Sequence, residues 1–223
     1  MTKPAIEWRI PVGDAAVVAL LEPAVHGAGA GTFVFAHGAG GHRADRGMNA
    51  LTDVFRNIGL DIVRFNFPYR ERGSGRPDAM PLLEETVAAV ADRARSELPR
   101  NRLFLGGRSM GGRAASMLAA EGFVCDGLIL LAYPMHPAGL PTKLRDAHLP
   151  SIQAPVLCFN GTRDALCRRD LMEGVVSRLP RTWTRHWLEG ADHSFHVLKS
   201  SGRTDDDVLQ EIGRRTSGWL SGK

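Results

Sequence analysis

The chain alternates strand-like and helix-like segments along most of its length, and that order constrains its fold more than any other feature. Residues 32–36 (TFVFA), 102–106 (RLFLG), 127–132 (GLILLA) and 155–159 (PVLCF) are short runs with almost no polar residue. Such runs suit strands buried on both faces, as in parallel sheets. Between them lie segments of helical periodicity. Residues 48–57 carry apolar side chains at 48, 51, 54 and 55, with Gly59 as the stop, and residues 82–98 repeat them at 83, 87, 90, 94 and 98, with Pro99 as the stop. Residues 110–120 form a small-residue helix, 168–179 a further one, and 205–220 a closing amphipathic one led by three aspartates that suit its dipole. Residues 60–67 and 182–188 complete the strands, and 69–81 reads as an irregular loop rich in Arg and Gly. The connection 133–154 has room for one short helix near residues 143–148. At the start, 6–12 and 16–21 form two strands around a Gly13-Asp14 turn.

Strand–helix alternation predicts an α/β fold: a mostly parallel, twisted sheet of about seven to eight strands with helices on both faces. Crossovers should be right-handed, and the cleft should open at the carboxyl ends of the strands. A length of 223 residues fits one domain, 1–223, that needs no disulfide or metal staple. The three cysteines, Cys125, Cys158 and Cys167, have no C-x-x-C spacing and read as free thiols or small buried hydrophobes. No stretch is apolar enough to span a membrane and the first residues lack a signal-peptide pattern, so a cytoplasmic location is expected. The net charge is +4, but the arginines are scattered rather than gathered on one element, which speaks against nucleic-acid binding. The densest basic run, Arg64, Arg70, Arg72 and Arg76, is a candidate anion patch or a solvated loop.

Gly107-Arg108-Ser109-Met110-Gly111 matches G-x-S-x-G. The pattern is weak by itself. Its setting, between a predicted strand and a predicted small-residue helix, is the frame of a nucleophile elbow. A sharp turn there holds the serine Oγ out of the sheet, and close backbone approach requires glycine at 107 and 111. Serine needs a base, and the base an orienting acid. Asp164 follows the strand 155–159, and His193 follows the strand 182–188, so the order Ser, Asp, His is that of this elbow's partners. His196 is a rival base. Asp192 adjoins His193 but points elsewhere on an extended backbone, and no carboxylate directly follows 127–132. The oxyanion hole takes the backbone N–H of Met110 and, from the loop 37–41 after TFVFA, that of Ala39. His37 reads first as a side chain holding that loop, and second as a substrate contact. Lys143 and Arg145 are candidate contacts for an anionic substrate, against the plainer reading of a helix surface. Arg108 reads as a brace for the elbow.

At these residues the chain resembles the α/β-hydrolases. More narrowly, FAHGAGG (35–41), LGGRSMGGRAA (105–115), YPMHPAG (133–139) with KLRDAHL (143–149), FNGTRD (159–164) and ADHSF (191–195) resemble one small family. It groups bacterial hydrolases with the testis-expressed hydrolase-like protein and the hydrolase-like domain of the third subunit of the nonspecific lethal chromatin complex. The resemblance implies a compact α/β-hydrolase core with no large cap domain, no metal and no organic cofactor. Bacterial members are described as similar to dienelactone hydrolase, whose nucleophile is a cysteine; this chain has Ser109. The function expected is a serine hydrolase acting on a small-molecule acyl ester or thioester, without nucleic acid or membrane as partner and with a homodimer left open. The alternative is a hydrolase fold used as a non-catalytic interaction module.

Overall fold

A computed structural model describes residues 4–27 and 29–222; Met1–Lys3, Ala28 and Lys223 lie outside them. Among the described residues eight strands form one sheet: β1 (Ile6–Val12), β2 (Ala15–Glu22), β3 (Gly31–Ala36), β4 (Leu60–Phe65), β5 (Leu103–Arg108), β6 (Gly127–Leu131), β7 (Val156–Gly161) and β8 (Trp183–Leu188). Their spatial order is β1-β2-β4-β3-β5-β6-β7-β8. From β4 onward every pairing is parallel; β1 and β2 join antiparallel at one edge. β1 alternates a buried Trp8, Ile10 and Val12 with exposed partners, as an antiparallel edge strand with one wet face should. β3 to β7 are buried almost throughout.

Side-chain alternation sorts the core into two layers. On β3, Phe33 and Phe35 face helices α1 (Arg46–Asn57) and α6 (Asp205–Ser221), packing with Met48, Leu51, Phe55, Val208 and Ile212. Val34 and Ala36 face the other side, against α3 (Met80–Glu97), α4 (Met110–Ala120) and, further along, α5 (Arg169–Val176). The T-shaped contacts of Phe55 with Phe33 and Phe35, at 5.3 and 5.8 Å, lock α1 to the sheet centre. α6 starts with a capping box, Thr204 and Asp207 bonding reciprocally.

Three expectations are corrected. The loop 69–81 opens with a short helix, α2 (Pro68–Glu71), whose N1 residue is the very proline read as a strand stop. α3 likewise begins before Pro81, which sits in its first turn. No helix forms at 143–148; that segment is a run of turns ending in a 3₁₀ turn at Leu149–Ser151. The basic run is not a patch. Arg64 is buried and paired with Glu22 at 2.6 Å, Arg72 pairs with Asp78, and Arg70 bonds backbone carbonyls. Among the described residues no helix is long and apolar enough to cross a membrane.

Candidate active site

The site is assembled where five strand ends meet a few tight turns. β5 enters the elbow through Gly106 and Gly107. A Cβ at Gly107 would lie 2.2 Å from the Ala36 carbonyl oxygen, and one at Gly111 would lie 2.6 Å from the carbonyls of Ala36 and His37. Those distances leave no room for a side chain, which is why both positions are glycine. Ser109 then adopts φ 49°, ψ −113°, a sparsely populated conformation for a residue with a side chain. Its N–H donates to the Leu131 carbonyl at 2.8 Å, so β6 holds the turn from the side. Two other described non-glycine residues have positive φ, Ala132 (51°) after β6 and Phe195 (67°) beside His193. Backbone strain is therefore gathered around the site.

The three sequence-predicted residues meet. Ser109 Oγ lies 3.0 Å from His193 Nε2, and His193 Nδ1 lies 2.8 Å from Asp164 Oδ2. The Asp164 side chain is fully buried, whereas His193 retains 29% exposure. Asp164 Oδ1 accepts the Leu166 N–H at 2.8 Å, which fixes the carboxylate plane. The chain reaches Asp164 through Gly161, where a Cβ would lie 2.2 Å from the Ala191 carbonyl oxygen; this close approach draws the acid loop against the histidine loop. With the carboxylate on Nδ1, that nitrogen carries the proton and Nε2 is free to accept from serine.

The rivals are placed elsewhere. His196 Nδ1 sits 3.0 Å from Asp205 at the start of α6. Asp192 Oδ1 accepts the N–H groups of Ser194 and His196, at 2.7 and 3.0 Å, and so shapes the turn that carries His193.

An open cleft of about 450 Å³ lies over Ser109, bounded by Gly38–Gly41, Asp45, Arg108, Leu166, His193 and Ser194. Ala39 lines the cleft from the loop after β3, and Met110 is the first residue of α4, directly after the serine. Arg108 spans the wall. It donates to the His193 carbonyl at 3.4 Å and lies 5.9 Å from the Phe195 ring centre. Burial lowers its pKa, while the carboxylates of Asp45 and Asp192 act the other way. It thus ties the elbow to the histidine loop, as a brace.

The proposed substrate contacts fare differently. His37 is fully buried, and both ring nitrogens are engaged: Nδ1 with the Gly38 carbonyl at 2.8 Å, Nε2 with the Phe67 N–H at 3.2 Å. It holds the loop and does not reach the cleft. Lys143 and Arg145 do not line the cleft; Lys143 is exposed on the turns of 139–148, and the Arg145 backbone bonds Met135 and Tyr133. Sequence reasoning missed Asp45, Leu166 and Ser194. Asp45 alone carried a signal, as an N-cap aspartate ahead of a helical run: its Oδ1 accepts from Met48 N at 2.8 Å. Among the described residues no three His, Cys, Asp or Glu side chains converge on a metal position. The cysteines are free, and burial pushes the Cys158 thiol up to about 12, so it is not a reactive thiolate.

His37 also gives a pH prediction. Burial lowers its pKa from 6.5 to about 4, with Arg70 and His42 acting in the same direction and Asp45 and the Gly38 carbonyl against. His148, hydrogen-bonded to Ser116 Oγ at 2.8 Å, is likewise held down to about 4, by burial and by Arg113. Both are neutral when folded. Below pH 6.5 the unfolded chain takes up protons that the folded chain refuses. Stability present above pH 6.5 is therefore lost progressively as pH falls toward 4, with an upper bound of about 3 kcal/mol from His37. Thermal unfolding scans across pH 4–8 should show Tm falling over this window, and His37→Gln should flatten the fall. A Tm flat from pH 7 to 4.5 contradicts the account.

A mostly parallel sheet that brings serine, histidine and aspartate into contact beyond its strand ends is the architecture of the α/β hydrolases. Residues 29–221 match the alpha/beta hydrolase domain family, and the chain belongs to it. Solved structures agree on the fold. An alpha-beta serine hydrolase homologue from Coxiella burnetii superposes with a TM-score of 0.77 at 20% identity, covering 96% of this chain and 98% of that one. Dienelactone hydrolase from Anabaena variabilis gives 0.76 at 19% identity, over 98% and 97%. A serine hydrolase without a lid from Xanthomonas campestris gives 0.74 at 21% identity, over 96% and 97%. Among the described residues the connection 132–155 contributes only turns and the 3₁₀ turn Leu149–Ser151, and no cap domain.

Proposed function

We propose that this chain is a serine hydrolase that cleaves small or medium acyl esters or thioesters through an acyl-enzyme. The observation that carries this is the unbroken relay Ser109–His193–Asp164, at 3.0 and 2.8 Å, at the floor of an open cleft. A non-catalytic module has no need to hold a strained serine against a histidine in a solvent-reachable pocket. Ser109 Oγ attacks the acyl carbon as His193 Nε2 takes its proton. The carbonyl oxygen becomes an oxyanion that accepts from the N–H groups of Ala39 and Met110. Each such donor is typically worth about 3 kcal/mol in the transition state. His193 then gives its proton to the departing alkoxide or thiolate, leaving the acyl group on Ser109. Water enters along the same path, His193 takes its proton, and the carboxylic acid leaves as Ser109 regains a hydrogen. Asp164 stays ionised and stabilises the histidine cation. No step asks for a metal or organic cofactor.

The narrower kinship, with bacterial hydrolases and their eukaryotic hydrolase-like relatives, is part of the same reading. It is supported by the retained GGRSMG and KLRDAHL segments. Chain length follows from the shape. A cleft of about 450 Å³ with no cap leaves the far methylenes of a long chain in water, so they add little binding. A series of p-nitrophenyl esters and matching thioesters should show higher kcat/KM for butyryl than for palmitoyl. Higher activity on palmitoyl overturns the chain-length reading.

A further inference from the structure

We propose that Tyr69 and Arg70, on the short helix α2, are positioning residues that hold the oxyanion loop in its productive orientation. This rests on the serine-hydrolase reading above. Three of the four residues 38–41 are glycine, and a Cβ at Gly40 would meet nothing within 4 Å. At Gly40, in the middle of the loop, packing therefore does not fix the peptide planes. Hydrogen bonds do, and they fall on four consecutive carbonyls. The Gly38 carbonyl faces His37 Nδ1 at 2.8 Å and accepts the Gly41 N–H at 3.0 Å. The Ala39 carbonyl accepts from the Tyr69 hydroxyl at 2.8 Å. The carbonyls of Gly40 and Gly41 accept from Arg70, through its outer guanidinium nitrogen at 2.6 Å and its Nε at 2.7 Å.

In a trans peptide the carbonyl and the N–H point opposite ways. Each carbonyl fixes the N–H of the residue after it: Ala39 O, held by Tyr69, fixes the Gly40 N–H, and Gly40 O, held by Arg70, fixes the Gly41 N–H, which donates at 3.0 Å to the Gly38 carbonyl and so holds the plane that carries the Ala39 N–H. A flip of that last plane would put a carbonyl oxygen where the substrate oxyanion must sit, and two like partial charges would repel. α2 is itself anchored. Tyr69 is fully buried, its ring 5.9 Å from that of His37, and its N–H donates to Asp78 at 2.8 Å. The Arg70 guanidinium lies 5.5 Å from the Tyr69 ring. The two side chains thus connect a rigid element to a loop that would otherwise choose its own geometry.

Tyr69→Phe keeps the ring and removes one donor; Arg70→Met removes the fork; Arg70→Lys restores the charge and one donor. The test is kcat on p-nitrophenyl butyrate per fluorophosphonate-titrated Ser109, together with KM and Tm. Tyr69→Phe and Arg70→Met should each lower kcat by roughly tenfold or more with KM within about twofold and Tm little changed, and Arg70→Lys should recover part of the loss. A wild-type kcat in Tyr69→Phe and Arg70→Met overturns the proposal while leaving the serine-hydrolase reading intact. So does a fall in Tm or a rise in KM alone, which is what a merely structural role produces. A wild-type protein with neither turnover nor fluorophosphonate adduct overturns that reading, and the positioning role with it.

Discussion

Asp164→Asn should lower kcat/KM on a butyryl ester by about 10⁴-fold while leaving the protein folded. The substitution is close to isosteric, and the amide oxygen can still accept the Leu166 N–H that Asp164 Oδ1 accepts at 2.8 Å. The other position then presents an NH₂ group to His193 Nδ1, where the carboxylate oxygen now stands at 2.8 Å. A donor facing Nδ1 selects the tautomer with its hydrogen on Nε2. That nitrogen lies 3.0 Å from Ser109 Oγ and can no longer accept the serine proton. The lost carboxylate also leaves the histidine cation without its counter-charge. Geometry is kept and the base is removed, so the Tm should stay within a few degrees of wild type. A loss of less than tenfold would show that His193 is oriented by something other than Asp164.

The second large effect is on folding. At Gly106, one residue before the elbow proper, a Cβ would lie 1.9 Å from the Ile129 carbonyl oxygen and 2.8 Å from the carbonyl carbon. Both atoms are backbone in the centre of the sheet, where β5 pairs with β6 through Gly106 and Ile129. Neither strand can withdraw without breaking its ladder on the far side. Gly106→Ala should therefore cost more than about 4 kcal/mol, a large part of the stability of a domain this size. Gly174→Ala is the matched control. It sits in α5, a Cβ there meets nothing within 4 Å, and alanine is the better helix former by about 1 kcal/mol. Soluble yield and urea unfolding of the two variants give the comparison. A Gly106→Ala protein with wild-type stability would mean that β5 and β6 are further apart at Gly106 and Ile129 than a 1.9 Å approach implies.

These predictions rest on features that differ in how far the sequence discloses them. The central strands are legible because burial on both faces writes itself as an uninterrupted apolar run, as in residues 32–36 and 127–132. The triad is legible because each member follows a strand, so chain order alone places the three at one sheet edge. What is not legible is the wiring. Pro68 marks the end of a strand and the beginning of a helix equally well, and only the fold decides, so α2, with Tyr69 and Arg70, reads as loop. Arg64, Arg70 and Arg72 look alike in sequence. In the structure one is buried against Glu22, one bonds the glycine loop 38–41 and one pairs with Asp78, because long-range partners rather than local pattern set the fate of a charge. His37 is legible in kind but not in partner: its place beside the glycines of 38–41 marks it as a side chain holding that loop, and the Phe67 N–H, thirty residues away, completes the hold.

The most direct measurement is fluorophosphonate labelling followed by intact mass and peptide mapping, because it asks whether Ser109 is activated without requiring the substrate to be known. The reagent carries a phosphoryl centre that only an activated serine attacks at a useful rate, with fluoride leaving as the Oγ–P bond forms. One adduct per chain, mapped to Ser109 and lost in His193→Ala, is the result predicted. A folded wild-type protein that stays unlabelled, or a label that persists in His193→Ala, would contradict the central claim.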